Sequence, residues 1–325
     1  MAELAHLPAF AFRPEFELVA VAEPLPERRD LARALLPRVR VYEDLANLLN
    51  RESALDFVDI CTPPRSHTRL AVAALKRGCH VLSEKPLFLS AQEVQEIKEV
   101  LTQIPPAVLV TANNWKYAPL LAKTTEMIRA GAIGSVQKLD WQVYRTNPSG
   151  GGLSLWRQDP ANSLGGIVVD HGWHAFYILI SWVGMPKAIK ARLVRGAASP
   201  VEIEAEVEMK FPEATARLFL TWQASQRSNQ GRVLGTAGEI IMEDDILMRV
   251  VEDSVIESHR FPEKLSGGSH HPQWMAGVLE EFLQEINFPE KRGANFHEAE
   301  TCSRLIRLAY QSHKSGGVWL NLSSP

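Results

Sequence analysis

The sequence predicts an α/β protein in two parts: a parallel sheet with helices on both faces, followed by an α+β region built on a large, mainly antiparallel open sheet. Two observations predict this. From about residue 16 to 116, short apolar runs alternate with helical stretches, the signature of successive βαβ units. Beyond residue 135 the strands lengthen and alternate residue by residue. The clearest is 202–211, where Ile203, Ala205, Val207, Met209 and Phe211 interleave with Glu202, Glu204, Glu206, Glu208 and Lys210. A chain of 325 residues with 46% hydrophobic and 22% charged residues has enough apolar material for two cores. The expected parts are 1–117 and 118–325.

Residues 1–12 read as a helix and 16–22 as a strand, followed by a helix over 26–36, a strand over 39–42 and a helix over 44–50. Leu55, Phe57, Val58 and Ile60 form a short apolar run stopped by Pro63-Pro64, as expected of a buried parallel strand running into a turn. A helix over 68–77 is closed by Gly78, which suits a helix C-terminus. The strand 79–82, the helix 91–102 and the strand 107–111 complete the alternation. A linking helix over 119–130 ends at Gly131 and Gly134. Strands are then expected at 135–145, 189–195, 202–211, 214–223, 229–236 and 239–251, and helices at 272–285 and 297–315. The acidic row from Glu202 to Glu208 reads either as a solvated sheet face or as a surface meeting arginines of another subunit.

Net charge is −3 with no dense Lys/Arg block, so nothing draws the chain electrostatically to nucleic acid or to an anionic membrane surface. No apolar stretch is continuous enough to span a bilayer, and a cytoplasmic location is the expectation. The three cysteines, Cys61, Cys79 and Cys302, are odd in number and lack metal-ligand spacing, which fits a reducing compartment.

Two constellations carry chemistry. The first is Thr62-Pro63-Pro64, His67 and then Glu84-Lys85-Pro86, on loops at the carboxyl ends of adjacent predicted strands, where open α/β sheets bind ligands. The second is Gly165-Gly166 followed by Asp170, His171 and His174. With a helix starting near Ile167, Asp170 and His174 lie four apart on one face, so the carboxylate can orient the imidazole. Oxidation of a secondary alcohol needs a group near neutral pKa to take the hydroxyl proton, and His174 is assigned as that general acid/base. The competing assignment for His174 is a satisfied core histidine among Trp173, Phe176, Tyr177 and Trp182. Asp170, His171 and His174, with His270 and His271, are also ligand types for a metal, but no cysteine or carboxylate cluster joins them and no metal is expected. Glu23 follows the strand 16–22, where an acidic side chain accepts from both ribose hydroxyls and repels a 2′-phosphate. NAD is therefore expected over NADP, although Arg28 and Arg29 stand close enough to meet a phosphate. Glu23 read otherwise caps the following helix.

These pieces, in this order, resemble the family named for glucose-fructose oxidoreductase, inositol dehydrogenase and the MocA protein, over nearly the whole chain. The matching stretches also include Val19 to Pro24, Gly235 with Gly238, and the helical stretch from Trp274 to Phe282. The resemblance implies a Rossmann-type dinucleotide-binding domain over 1–117 and a substrate-binding and oligomerisation domain over 118–325 that mediates homodimer or homotetramer contacts. It implies that Lys85 stabilises the developing charge on the substrate oxygen and that Asp170 hydrogen-bonds the substrate or His174. Thr62, Pro63, His67, Glu84 and Lys85 would line the cofactor crevice, Asn114, Trp115 and Lys116 would lie near the nicotinamide end, and Trp156-Arg157 would close over the cofactor. Lys116, Arg157, His171 and His270 are expected to contact substrate; Arg145, Trp156, Arg157, His171 and His270 are candidates to point into the pocket.

One departure stands out. The family's first strand and its Gly-x-Gly-x-x-Gly turn should precede residues 16–22, yet no glycine occurs before Gly78. Residues 1–12 correspond to the helix that ordinarily follows that turn. The expectation is that this sequence starts at an internal methionine of a longer reading frame; the alternatives are a degenerate protein and an incomplete gene. The expected activity is NAD-dependent hydride transfer to or from a secondary hydroxyl or ketone of a sugar, polyol or related small polar compound. NAD-dependent glycosidase chemistry on the same fold, and a non-catalytic ligand-binding or regulatory homologue, are the competitors.

Overall fold

The computed structural model describes residues 1–104, 106–146, 157, 159–197 and 199–322. The alternating half forms β1 (Ala20–Ala22), β2 (Arg40–Tyr42), β3 (Phe57–Ile60), β4 (His80–Ser83) and β5 (Leu109–Thr111). All their pairings are parallel. The sheet is in two pieces, β1-β2 and β3-β4-β5. The strand that the family pattern places first, next to β1 and β3, has no counterpart among the described residues. The β1-β2 piece is thinly covered. The helix Pro26–Leu35 buries none of its residues, and Leu25, Leu31 and Leu35 are exposed.

Residues 2–11 are helical, beginning with a wide turn over Ala2–His6 and continuing as Leu7–Ala11. This segment docks through Ala5 and Ala9 into a cluster with Leu82, Val110, Met275, Leu279 and Phe282. Phe10, Phe16, Phe57 and Phe282 extend the cluster by edge-on and tilted contacts with centroids 5.2–5.8 Å apart. Met275 to Phe282 belong to the helix Pro272–Asn287, so the chain returns from the second sheet to close the first core.

The remaining strands are β6 (Val136–Thr146), β7 (Ala188–Arg195), β8 (Glu202–Lys210), β9 (Thr215–Thr221), β10 (Gln223–Gly235), β11 (Gly238–Glu243), β12 (Ile246–Val251), β13 (Ser254–Arg260) and β14 (Leu320–Asn321). They form one sheet in the order β13-β12-β11-β10-β6-β9-β8-β7-β14, antiparallel throughout except for the β6-β9 pair. The run expected as one strand over 239–251 is two, because Asp244 adopts a left-handed φ of 57° and turns the chain into a hairpin. β13 and β14 carried no readable alternation.

β8 buries Ala205, Val207 and Met209 as its pattern requires. Glu206 and Glu208 face Arg217 and Lys190 of the neighbouring strands at 3.3 and 3.0 Å, so these two members of the acidic row are paired within the sheet. Glu202 departs from the row. A register shift between Val194 and Arg195 lies beside it, and its side chain turns inward, 3% exposed, where Oε1 accepts from the N–H groups of Gly166 and Val168 and from the Tyr310 hydroxyl. Glu202 thus caps the segment that carries Asp170, and burial raises its pKa. Gly166 is obligatory there: a Cβ would stand 1.9 Å from the Glu202 carbonyl oxygen.

His6 ties the first helical segment to the sheet. Nδ1 lies 3.0 Å from Asp59 Oδ2 and Nε2 lies 3.0 Å from Glu84 Oε1, so both ring nitrogens donate to carboxylates. Burial works against the charge, but the Asp59 carboxylate outweighs it and holds the His6 pKa well above the histidine range. Conversely, burial would raise Glu84, yet the hydrogen bond and charge of His6 bring it down to about 2. His6 also stands with Asp59 and Cys61 in a group of metal-ligand types that the spacing in sequence does not reveal.

Replacing the imidazolium by a neutral side chain strands the buried Glu84 carboxylate and the half-buried Asp59, so His6→Gln should destabilise the fold by about 3–5 kcal/mol. Because the folded-state pKa of His6 is raised, its contribution is complete below the unfolded value and is lost as pH rises through the folded value. Urea unfolding across the pH range should show the largest gap between wild type and variant between the ordinary values of 4.5 for Glu84 and 6.5 for His6, closing in alkali as His6 deprotonates and in strong acid as Glu84 protonates. A gap that does not change with pH would show that His6 is held neutral.

Candidate active site

The parallel strands deliver their carboxyl ends to one edge. The Cys61–Pro64 stretch follows β3, Glu84-Lys85-Pro86 follows β4, and the Asn114–Tyr117 turn follows β5. The second sheet and its helix bring up Asp170, His171 and His174, with Arg145 on β6 and Arg227 on β10. Together these line a cavity of about 230 Å³. Thr62, Pro63, Glu84, Lys85, Asn114, Arg157, Asp170, His171, His174 and His270, each expected at the site, are among its lining residues.

The two halves meet in an ion pair. Lys85 Nζ lies 2.9 Å from Asp170 Oδ1 and 2.6 Å from the Asp170 carbonyl oxygen. Burial would raise the Asp170 carboxyl, but Lys85 above all, then His171 and Arg157, hold it well below the carboxylate range. The far oxygen, Oδ2, lies 3.7 Å from Arg157 Nε and 3.6 Å from His171 Nε2.

His174 is not oriented by Asp170. Residues Val168–Gly172 form a π-turn, which shifts the register so that the two side chains do not meet as they would at i, i+4 of an α-helix. Tyr177 takes that place: His174 Nδ1 lies 2.8 Å from its hydroxyl oxygen, which also accepts the Trp115 N–H at 2.9 Å. The imidazole stacks on Trp115 at 4.7 Å and 9°. Burial, then the Lys85 charge, pushes the His174 pKa well below the usual value. His171 is shifted the same way, and neither of its ring nitrogens has a hydrogen-bond partner among the described residues.

Two expectations require correction. Lys116 faces away from the cavity, since Glu281 and Glu298 hold its ammonium at 3.1 and 2.9 Å. Its neighbour Trp115 takes the inward direction. His67 is fully buried, with its ring nitrogens 2.7 and 2.6 Å from the carbonyl oxygens of Pro86 and Thr62. It braces the two loops that line the cavity and does not line it itself. Glu23 stands directly after β1, as expected, and does not line this cavity; its Oε1 accepts the Leu25 N–H and its Oε2 lies 3.5 Å from Arg28. Trp156 lies outside the described residues. Sequence reasoning missed Arg227, Trp222 and His6, which lack a motif. Tyr177 was readable as the residue one turn after His174.

The first part of the chain fits a dinucleotide at the nicotinamide end, where loops after three parallel strands converge and Lys85 and Asn114 supply donors. A glycine turn for the pyrophosphate is absent from the described residues.

Comparison with known proteins agrees with this geometry. Residues 1–111 match the family described as oxidoreductase family, NAD-binding Rossmann fold, and residues 121–241 match the GFO/IDH/MocA C-terminal domain. An uncharacterized oxidoreductase of Bacillus subtilis, YfiI, is 30% identical over 58% of this chain and 52% of its own length, so the chain spans about half of that relative. Galactose 1-dehydrogenase of Pseudomonas fluorescens is 25% identical over 78% of this chain and 81% of its own. Among solved structures, levoglucosan dehydrogenase in complex with NADH superposes with a TM-score of 0.85 at 19% identity, covering 100% of this chain and 97% of that one. An inositol dehydrogenase homologue from Azotobacter vinelandii with NAD+ gives 0.80 at 19% identity, over 94% and 90%. With both of its characteristic domains matched in order, the chain belongs to the glucose-fructose oxidoreductase, inositol dehydrogenase and MocA family of oxidoreductases with an NAD-binding Rossmann fold.

Proposed function

We propose that the protein is an NAD-dependent oxidoreductase that oxidises a secondary hydroxyl of a sugar, polyol or related small polar compound, or reduces the corresponding ketone. The observation that carries this reading is the meeting of Lys85, Asp170 and His174 in one cavity at the carboxyl ends of the parallel strands. Sugar and polyol dehydrogenases among its relatives support the substrate class. Residues 1–117 would serve the cofactor, and residues 118–325 the substrate and the contacts of a homodimer or homotetramer. The three cysteines are unpaired, which supports a cytoplasmic setting.

Thr62, Pro63, Lys85 and Asn114 would hold NAD, which supplies the hydride acceptor. The residues of this chain manage charge and protons. Asp170 pins the Lys85 ammonium, whose positive charge favours the developing alkoxide more than the ground-state hydroxyl. His174 is the proton acceptor. This role requires the tautomer in which Nδ1 carries the hydrogen and donates it to the Tyr177 oxygen, leaving Nε2 as the basic nitrogen of the ring. The Trp115 face fixes the plane of that ring.

In steady-state assays of NADH formation over a panel of sugars and polyols, Lys85→Met and His174→Asn should each lower turnover by about 10² or more. Losses below about threefold would remove these groups from the chemistry. Because His174 titrates below its ordinary value of 6.5, oxidation should stay on its plateau down through pH 6.5 and decline only in stronger acid. An acid limb centred above 6.5 would contradict the assignment. Tyr177→Phe should move that limb as well as lower kcat; a fall in kcat with the limb unmoved would leave Tyr177 a packing role only.

A further inference from the structure

The wall of the cavity contributed by the second sheet is unusually cationic for a site meant to hold a neutral sugar. β6 and β10 are neighbours, and their pairing is interrupted between Gln223 and Ser228. This interruption contains Arg227, and the facing strand carries Arg145. The Arg145 side chain is among the largest fully buried in the protein, 1% exposed. Its Nη1 donates to the carbonyl oxygens of Tyr144 and Ser228 at 2.7 and 3.0 Å, and its Nη2 to Asn229 Oδ1 at 3.2 Å. Its Nε has no partner among the described residues. Arg227 likewise donates to the Ser266 and Gly268 carbonyl oxygens, at 3.0 and 2.5 Å.

Among the described residues, every acceptor of these two guanidinium groups is neutral. The carboxylates in the neighbourhood are engaged elsewhere: Asp244 accepts from Asn229 and Ser266, and Asp170 holds Lys85. Burial, then the Arg227 charge, pushes Arg145 down to about 9, and the Asp244 and Asp170 carboxylates offset this only in part. Buried charge without a partner is strongly disfavoured, and a fold retains it most readily where a ligand completes the pair. Among the described residues the cavity lining sets Lys85, Arg145, Arg157 and Arg227 against Asp170 and Glu84, and Glu84 is already shared with His6. Trp222 Nε1, another lining donor, is buried without a partner among the described residues.

We infer that the substrate carries a carboxylate, which the Arg145 and Arg227 wall receives while the hydroxyl to be oxidised lies at Lys85 and His174. The favoured class is then a polyhydroxy acid, such as an aldonate or uronate, over the neutral sugar or polyol. This rests on reading the cavity as the substrate site. Arg145 and Arg227 belong to the second sheet and not to the strand-end loops that would hold the cofactor, so a cofactor phosphate does not account for them.

The test is calorimetric binding to the NADH-loaded protein of D-gluconate, D-glucuronate, D-glucose and D-glucose 6-phosphate, with the matching galacto series. The acids should bind at least about tenfold more tightly than the neutral sugars. Arg145→Gln and Arg227→Gln should each weaken acid binding by about 30-fold or more. NADH affinity reports whether each variant is folded, and the half-buried Arg227 keeps the test decisive if Arg145→Gln fails to fold. Neutral sugars binding as tightly as the acids, acid affinity unmoved in the variants, or no member binding to NADH-loaded protein would each overturn the inference. Preference for the 6-phosphates would overturn the carboxylate in favour of a phosphorylated sugar. Failure to bind NADH at all would instead overturn the oxidoreductase reading.

Discussion

The site depends on the contact between Lys85 and Asp170. One residue leaves the end of β4 and the other sits in the π-turn before the long helix of the second part, so the pair fixes how the two halves of the cavity face each other. Each member is mostly buried, and a buried pair of this kind is retained for the geometry it imposes more readily than for net stability. The environment is organised to keep it. Glu202 caps the π-turn from β8, Gly166 allows the close approach to that strand, and His67 braces the loops after β3 and β4.

Around this contact, buried charge is distributed by function. His6 protonated between Asp59 and Glu84 is a structural triad that fixes the start of the chain to the loop bearing Lys85. His174 is kept neutral by the same burial that the carboxylates around His6 overcome. Two histidines with one intrinsic affinity for protons thus reach opposite states, because one faces carboxylates and the other faces a tryptophan ring, a phenol and nearby cations.

Much of this was legible in the sequence. Alternation of short apolar runs located the parallel strands to within a few residues, since period and turn residues are local signals. Lys85, Asp170 and His174 were legible because each sits at a fixed offset from punctuation, Pro86 for the first and Gly165-Gly166 for the others. What escaped depended on contacts distant in sequence. The direction of Lys116 is set by Glu281 and Glu298, and the inward turn of Glu202 by the N–H groups at 166 and 168. The π-turn also defeated the i, i+4 argument for Asp170 and His174, because a helix of another pitch breaks the rule on which that argument stands.

The central claim is that a nicotinamide cofactor enters the cavity spanned by the Lys85 and Asp170 pair, beside Trp115. Energy transfer to bound NADH from the eight tryptophans, compared between wild type and Trp115→Phe, tests it directly. The account predicts saturable sensitised NADH emission, with a share lost in Trp115→Phe well beyond that of one tryptophan in eight. Absence of transfer, or transfer indifferent to Trp115, would contradict it.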